Sequence, residues 1–247
     1  MTSDWQTRTE LLIGSKKLQL LQNSHVLVAG LGGVGSYAAE QLARAGVGKL
    51  TIVDGDVVHP SNRNRQLVAL SSNEGMSKSA IMELRLRDIN PSIELNVVSQ
   101  YIKDQSLLDV LEPQYDFVID AIDTLAPKVY LLFHAAKKGL NVVSSMGAGG
   151  KFDPTQIEVV DIGKTKHCRL AYYIRKKLHK LDVWEGITAV YSPEKVDRSA
   201  VLEERGEFNK RSTVGTISYM PAIFGCICAS VAIRHIAQLN NDQLIKP

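Results

Sequence analysis

From residue 25 onward, short runs of aliphatic and β-branched residues alternate with stretches whose apolar positions recur at helical spacing. Residues 25–29 predict a strand, 34–45 a helix, 50–53 a strand, and 77–89 a helix halted by Asn90 and Pro91, because the residue before a proline is driven out of the helical region. Further strands are predicted at 94–99, 117–120 and 141–144, with helices starting near Asp104 and Pro127. Strands separated by helices pair in parallel, so the predicted fold is α/β, a Rossmann-like, doubly wound, mostly parallel sheet with a smaller C-terminal extension. Residues 156–161 are expected to begin a second, more antiparallel part.

The pattern changes after residue 163. Residues 164–180 predict a basic amphipathic helix, and 194–211 form a polar stretch with little periodicity, read as a mobile lid or substrate-contacting loop. Residues 214–233 then run without a charge and meet the length criterion for a membrane span. Pro221, Gly225, Ser218 and Ser230 make that run only moderately hydrophobic, so a buried core or subunit-interface helix is expected instead. At 247 residues the chain suits one domain, divided into a nucleotide-binding core over 1–162 and an extension over 163–247 that holds the basic helix, the loop and the apolar helix.

Composition adds little. An apolar share of 45%, a charged share of 22% and a net charge of +3 are ordinary for a soluble protein, so a polyanionic partner would need locally clustered charge. Three cysteines without paired Cys-x-x-Cys spacing offer neither a disulfide framework nor a zinc site. Residues 1–23 mix charges with leucines and lack the apolar core of a secretory signal, which points to the cytoplasm.

The chemistry concentrates behind the first strand. Gly30-Leu31-Gly32-Gly33-Val34-Gly35 follows a strand and opens a helix, the context a phosphate-binding glycine loop requires. Gly30 lets the chain turn, Gly32 lets backbone approach a phosphate, Gly35 lets helix pack on strand, and the helix N-terminus offers amides to an anion. Asp54 ends the next strand about twenty residues on, where a carboxylate accepts from ribose hydroxyls. A nicotinamide dehydrogenase shares these features, but its diphosphate has no use for the cations that follow. Asp56 leads into a loop carrying Asn62, Arg63, Asn64 and Arg65, and Lys78 opens the next helix. Arg65 and Lys78 could hold a triphosphate and stabilise a pyrophosphate leaving group, while Asp123, past the strand at 117–120, could hold magnesium. Asp120 is read as structural, the bland role for either acid being a helix N-cap ahead of Pro127.

The set Gly30 to Gly35, Asp54-Gly55-Asp56, Asn62 with Arg65-Gln66, Lys78 and Ala121-Ile122-Asp123 resembles the ubiquitin-activating-enzyme superfamily, whose bacterial members include ThiF and MoeB. The resemblance implies ATP as cofactor: Asp54 on the ribose, Asn62, Arg65 and Lys78 on the phosphates, and Asp123 on Mg2+. It also implies a homodimer in which Arg8 reaches the partner's ATP. ThiF and MoeB carry two Cys-x-x-Cys zinc pairs that this chain lacks. Residues 144–150, 153–157, 161–165 and 218–225 are instead similar to the TcdA branch, the tRNA threonylcarbamoyladenosine dehydratases. That resemblance implies ATP-dependent cyclisation of the modified adenosine beside the anticodon, through adenylation of its threonyl carboxylate, with no protein nucleophile. Adenylation of the C-terminus of a ubiquitin-like sulfur carrier is the alternative. A monovalent cation near residues 147–150 and a sulfur-transfer partner are further candidates.

The basic helix bears on the RNA. Between residues 164 and 180 every charge is positive, and helical geometry puts Lys166, Arg169, Lys176, Lys177 and Lys180 on one face beside an apolar face of Leu170, Ile174, Leu178 and Leu181. A solvated face explains such a run equally well; taken with the resemblance, it reads as a phosphate-contacting stripe, with Tyr172 or Tyr173 available to stack a base.

Overall fold

The computed structural model describes residues 4–202 and 213–239. Two short helices, α1 (Thr7–Ile13) and α2 (Ser15–Gln22), precede β1 (His25–Ala29). Then follow α3 (Gly35–Ala45), β2 (Lys49–Val53), α4 (Lys78–Ile89), β3 (Glu94–Val98), α5 (Asp104–Val110), β4 (Phe117–Asp120), α6 (Leu125–Lys137) and β5 (Val142–Ser145). The extension adds β6 (Glu158–Asp161), α7 (Arg169–His179), β7 (Thr188–Tyr191), a short antiparallel ladder of β8 (Val201–Leu202) on β9 (Thr213–Val214), and α8 (Tyr219–Ile236).

The main sheet has seven strands in the order β3-β2-β1-β4-β5-β7-β6, parallel throughout except where β6 meets β7. Successive β1 residues face opposite sides, and both sides are packed. Val26 and Val28 join α3, α4 and α8 in one apolar cluster, whereas Leu27 and Ala29 join α5, α6 and α7 in the other. Strand order reverses between β1 and β4, so the carboxyl ends of these two strands splay apart around a crevice, the place where such sheets bind ligands.

Several expectations need correction. Residues 156–161 do not open a separate part: β6 hydrogen-bonds into the same sheet through β7, a strand the sequence pattern had hidden. The basic helix begins at Arg169, not residue 164; Lys164 lies in a single tight turn and His167 has a left-handed φ of 55°, which breaks the helical run. Lys166 therefore precedes the helix. The 194–211 stretch is anchored at its start, where the Glu194 carboxylate accepts from the Phe152 and Asp153 amides, and it continues into β8. Residues 203–211 of that predicted loop lie outside the described residues. The apolar run becomes α8, long and apolar enough to cross a membrane by composition alone, yet Met220, Phe224, Cys228, Ala229 and Ala232 are all buried in the core. Gly225 makes this possible: a Cβ there would sit 2.3 Å from the Val34 carbonyl oxygen, so only glycine lets α8 lie this close to α3.

Candidate nucleotide site

The phosphate loop turns between β1 and α3. Gly30 has φ +90°, and a Cβ on it would stand 2.7 Å from the Ala121 carbonyl oxygen; one on Gly35 would fall 1.7 Å from the Gly30 oxygen. Both positions therefore require glycine. A Cβ at Gly32 would meet only the Gln66 side chain, at 3.7 Å, which leaves open space above the loop. The first turn of α3 carries no side-chain cap, and within it the Ser36 amide donates to the Gly32 carbonyl at 3.3 Å.

Sheet ladder bonds extend past the strand ends and draw the acidic segments to this loop. The Gly30 amide donates to Val53, the Asp54 amide to Val98 and the Ala121 amide to Ala29. Asp54 Oδ2 then accepts from the Leu31 amide at 2.6 Å and Oδ1 from the Asp56 amide at 2.8 Å. Burial raises the Asp54 pKa against the pull of those amides and of Lys78. Each oxygen keeps a second lone pair, so a ribose hydroxyl can still donate to it. Asp56 Oδ2 lies 2.5 Å from the Nζ of the buried Lys78, the first residue of α4. Burial works to raise the Asp56 pKa, but the bond to Lys78 and its charge outweigh it, and the carboxyl is held below its ordinary range. Lys78 is thus not simply aimed at a ligand; it is held on a carboxylate beside the place a phosphate would occupy.

The cationic loop is braced by its own backbone. Arg65 Nη1 donates to the Ser61 carbonyl at 3.0 Å and to Asn64 Oδ1 at 2.9 Å, and the Arg65 side chain lies against Gly33. Asn62, which the resemblance puts on phosphate, is buried, and its oxygen caps the turn at the His59 amide at 3.1 Å. Arg8 is exposed on α1, next to Gln6, whose side chain abuts Gly46 at the amino edge of the sheet. The phosphate loop is at the carboxyl edge, so Arg8 is on the wrong side to serve its own chain.

Asp120 is structural, as expected, although not as an N-cap. Asp120 and Lys128 are both 0% exposed and 2.7 Å apart. Asp120 also accepts from the Ile122 amide at 3.1 Å and from the Ser144 hydroxyl at 2.6 Å, and Lys128 donates to the Ile122 carbonyl at 3.0 Å. This buried pair pins both polar edges of Ile122 and so sets the path of the chain into Asp123. The N-cap of α6 is Thr124, which leaves neither acid in that role. Cys228 packs beside the pair, its thiol pushed up to about 12 by burial, which rules it out as a nucleophile at neutral pH.

Two residues escaped the sequence reading. Gln66 has no role in the sequence reading beyond its place in the motif; its Nε2, a donor, lies toward Gly32, while its buried Oε1 has no partner among the described residues. Tyr101, 71% exposed, has its pKa raised by burial of the hydroxyl and by the nearby Asp56 and, more weakly, Asp54 and Asp123. Only the packing of Tyr101 against Gly55 brings it there.

The doubly wound sheet, the glycine loop at its switch point and the carboxylates converging on it define a nucleotide-binding protein of the Rossmann-like class. The chain matches the ThiF family over residues 6–246 and belongs to it. It is 41% identical over 202 residues to the tRNA threonylcarbamoyladenosine dehydratase of Bacillus subtilis, covering 81% of this chain and 80% of that one. It is 36% identical over 251 residues to the dehydratase of Escherichia coli, covering 93% of each. The crystal structure of the Escherichia coli enzyme, TcdA, in complex with ATP superposes with a TM-score of 0.86 at 35% identity, covering 98% of this chain and 99% of that one. The resemblance to the TcdA branch read from the motifs is borne out.

Proposed function

We propose that this protein, acting as one domain, is an ATP-dependent tRNA threonylcarbamoyladenosine dehydratase. The observation that carries the proposal is the match to the Escherichia coli dehydratase over 93% of each chain. The geometry supports the chemistry. The open space over Gly32, with the Gln66 amide nitrogen beside it, suits a bound triphosphate, with Asp54 on the ribose and Arg65 and Lys78 on the leaving pyrophosphate. Asp123 would hold magnesium together with phosphate oxygens, which neutralises charge on the leaving group.

In the reaction the threonyl carboxylate oxygen attacks the α-phosphorus and the bond to the β-phosphate oxygen breaks, releasing pyrophosphate. A neighbouring group of the same side chain then attacks the activated carbonyl and displaces AMP. The carboxylate oxygen leaves on AMP, so the nucleoside loses one water. The chain's own residues orient and stabilise; none forms a covalent bond.

Lys166, Arg169, Lys176, Lys177 and Lys180 are all exposed, and we assign them to the RNA backbone. We propose a homodimer working in the cytoplasm, in which Arg8, at the opposite edge from its own phosphate loop, serves the partner's ATP. The test is pyrophosphate release from ATP with tRNA carrying threonylcarbamoyladenosine, compared with unmodified tRNA. Release with the modified RNA alone, with loss of one water from the nucleoside, is the expected result. Release dependent instead on a carrier-protein C-terminus would favour the second reading, for which a 37% identity over 137 residues to the Escherichia coli sulfur carrier protein ThiS adenylyltransferase speaks.

A further inference from the structure

We infer that Phe152 is a base-stacking residue of the substrate site, an inference that rests on the tRNA reading above. Its ring is 65% exposed, yet its backbone is held on both sides. The Phe152 amide donates to Glu194 Oε1 at 3.0 Å, and the Tyr219 hydroxyl donates to the Phe152 carbonyl at 2.8 Å. The neighbours are as firmly tied: the buried Lys151 ammonium donates to the Glu194 carbonyl, the Asp153 amide donates to the Glu194 carboxylate, and that carboxylate also takes the Ser192 hydroxyl at 3.0 Å. A large apolar ring is thus presented to solvent from an immobilised backbone, the arrangement of a stacking platform.

Its place in the fold says what the ring meets. On one side is the phosphate loop: Tyr219 is two residues before Pro221, whose Cβ would touch a Cβ on Gly33 at 3.0 Å, and Asn64 of the cationic loop donates to the Thr216 carbonyl at 2.9 Å. On the other side is the end of β7, the strand that the basic helix α7 leads into: Glu194, which holds the Phe152 amide, follows Tyr191 by three residues. We place the path of an RNA strand that runs along α7, with its carboxylate at the α-phosphate, past this ring. An unpaired base there has a ring to stack on, a contact that every nucleobase can make.

The experiment compares wild type with Phe152→Ala, Phe152→Leu and Phe152→Trp, measuring KM for modified tRNA and for ATP in the pyrophosphate assay. The alanine variant should raise KM for the RNA by roughly 5- to 150-fold, the range one stacked base implies at tenfold per 1.4 kcal/mol. KM for ATP should not change. Leucine, apolar but without a π face, should behave like alanine, while tryptophan should restore RNA binding. Leucine matching wild type, or alanine leaving the RNA KM unchanged in an RNA-active enzyme, would overturn the inference. So would a change in sedimentation of the alanine variant, since the ring would then pack on a second copy. If wild type binds ATP but shows no RNA-dependent release, the tRNA reading itself has failed and the inference goes with it.

Discussion

At the scale of single residues, the acids around the phosphate loop have been separated by their surroundings. Asp120, paired with Lys128 away from solvent, is scaffolding, whereas we assign Asp123, three residues on, to magnesium. Replacing Asp123 by alanine is expected to cut pyrophosphate release by roughly 10²- to 10³-fold, the loss typical of removing one electrostatic stabiliser of a transition state, with unfolding unchanged. Normal turnover of that variant would end the site assignment. Asp56 carries a pH signature. Its folded pKa lies below the model-peptide value of 3.8, so the folded state binds fewer protons in that window. The stability it contributes is present above 3.8 and is lost as pH falls through the lower folded value. Urea melts of Asp56→Asn and wild type should therefore differ at neutral pH and converge in acid; a gap that does not depend on pH would refute the ion pair with Lys78.

At the scale of elements, α7 and α8 show the two fates of an amphipathic and an apolar run. In α7, Ala171, Ile174 and Leu178 are buried, which turns Arg169, Lys176 and Lys177 outward, while Arg175, outside that stripe, folds back to donate to the Thr165 carbonyl at 3.2 Å. Lys176→Glu with Lys177→Glu should weaken RNA binding for modified and unmodified tRNA alike and lower the slope of log K against log salt by about two, one for each phosphate contact. An unchanged slope would make this a merely solvated face. In α8 the decisive residue is Gly225. Leucine there would push α8 off α3 and is expected to cost at least about 1–3 kcal/mol of stability, the usual range for overpacking, read by denaturant unfolding. A neutral effect would contradict the close crossing.

At the scale of the whole molecule, much was legible along the chain, because β1 and β4 are continuous apolar strands, α3 has a clear helical period, α4 is halted by Asn90 and Pro91, and the glycine loop occupies its proper place between β1 and α3. What escaped was whatever depends on distant partners. β7 is short and hides among loops, and it becomes a strand only because β5 and β6 pair with it on both sides. The position of Arg8 is likewise a matter of the whole fold. Mixing Arg8→Ala with Asp123→Ala should restore activity that neither variant has alone, since in a mixed dimer one site holds both native residues; no recovery would mean the sites are self-contained.

The sequence by itself determined the class of fold, the nucleotide loop and the family, because glycines at fixed spacing and strand-helix alternation are local properties, readable from neighbours in the chain. Only the tertiary structure decided that Asp120 is tied into a buried pair, that α8 belongs to the core, and that Gln66 lies against the phosphate loop while Phe152 is exposed on a held backbone. Burial, ion pairing and exposure are set by residues far apart in sequence, and they come into being only when the sheet closes around its two apolar faces.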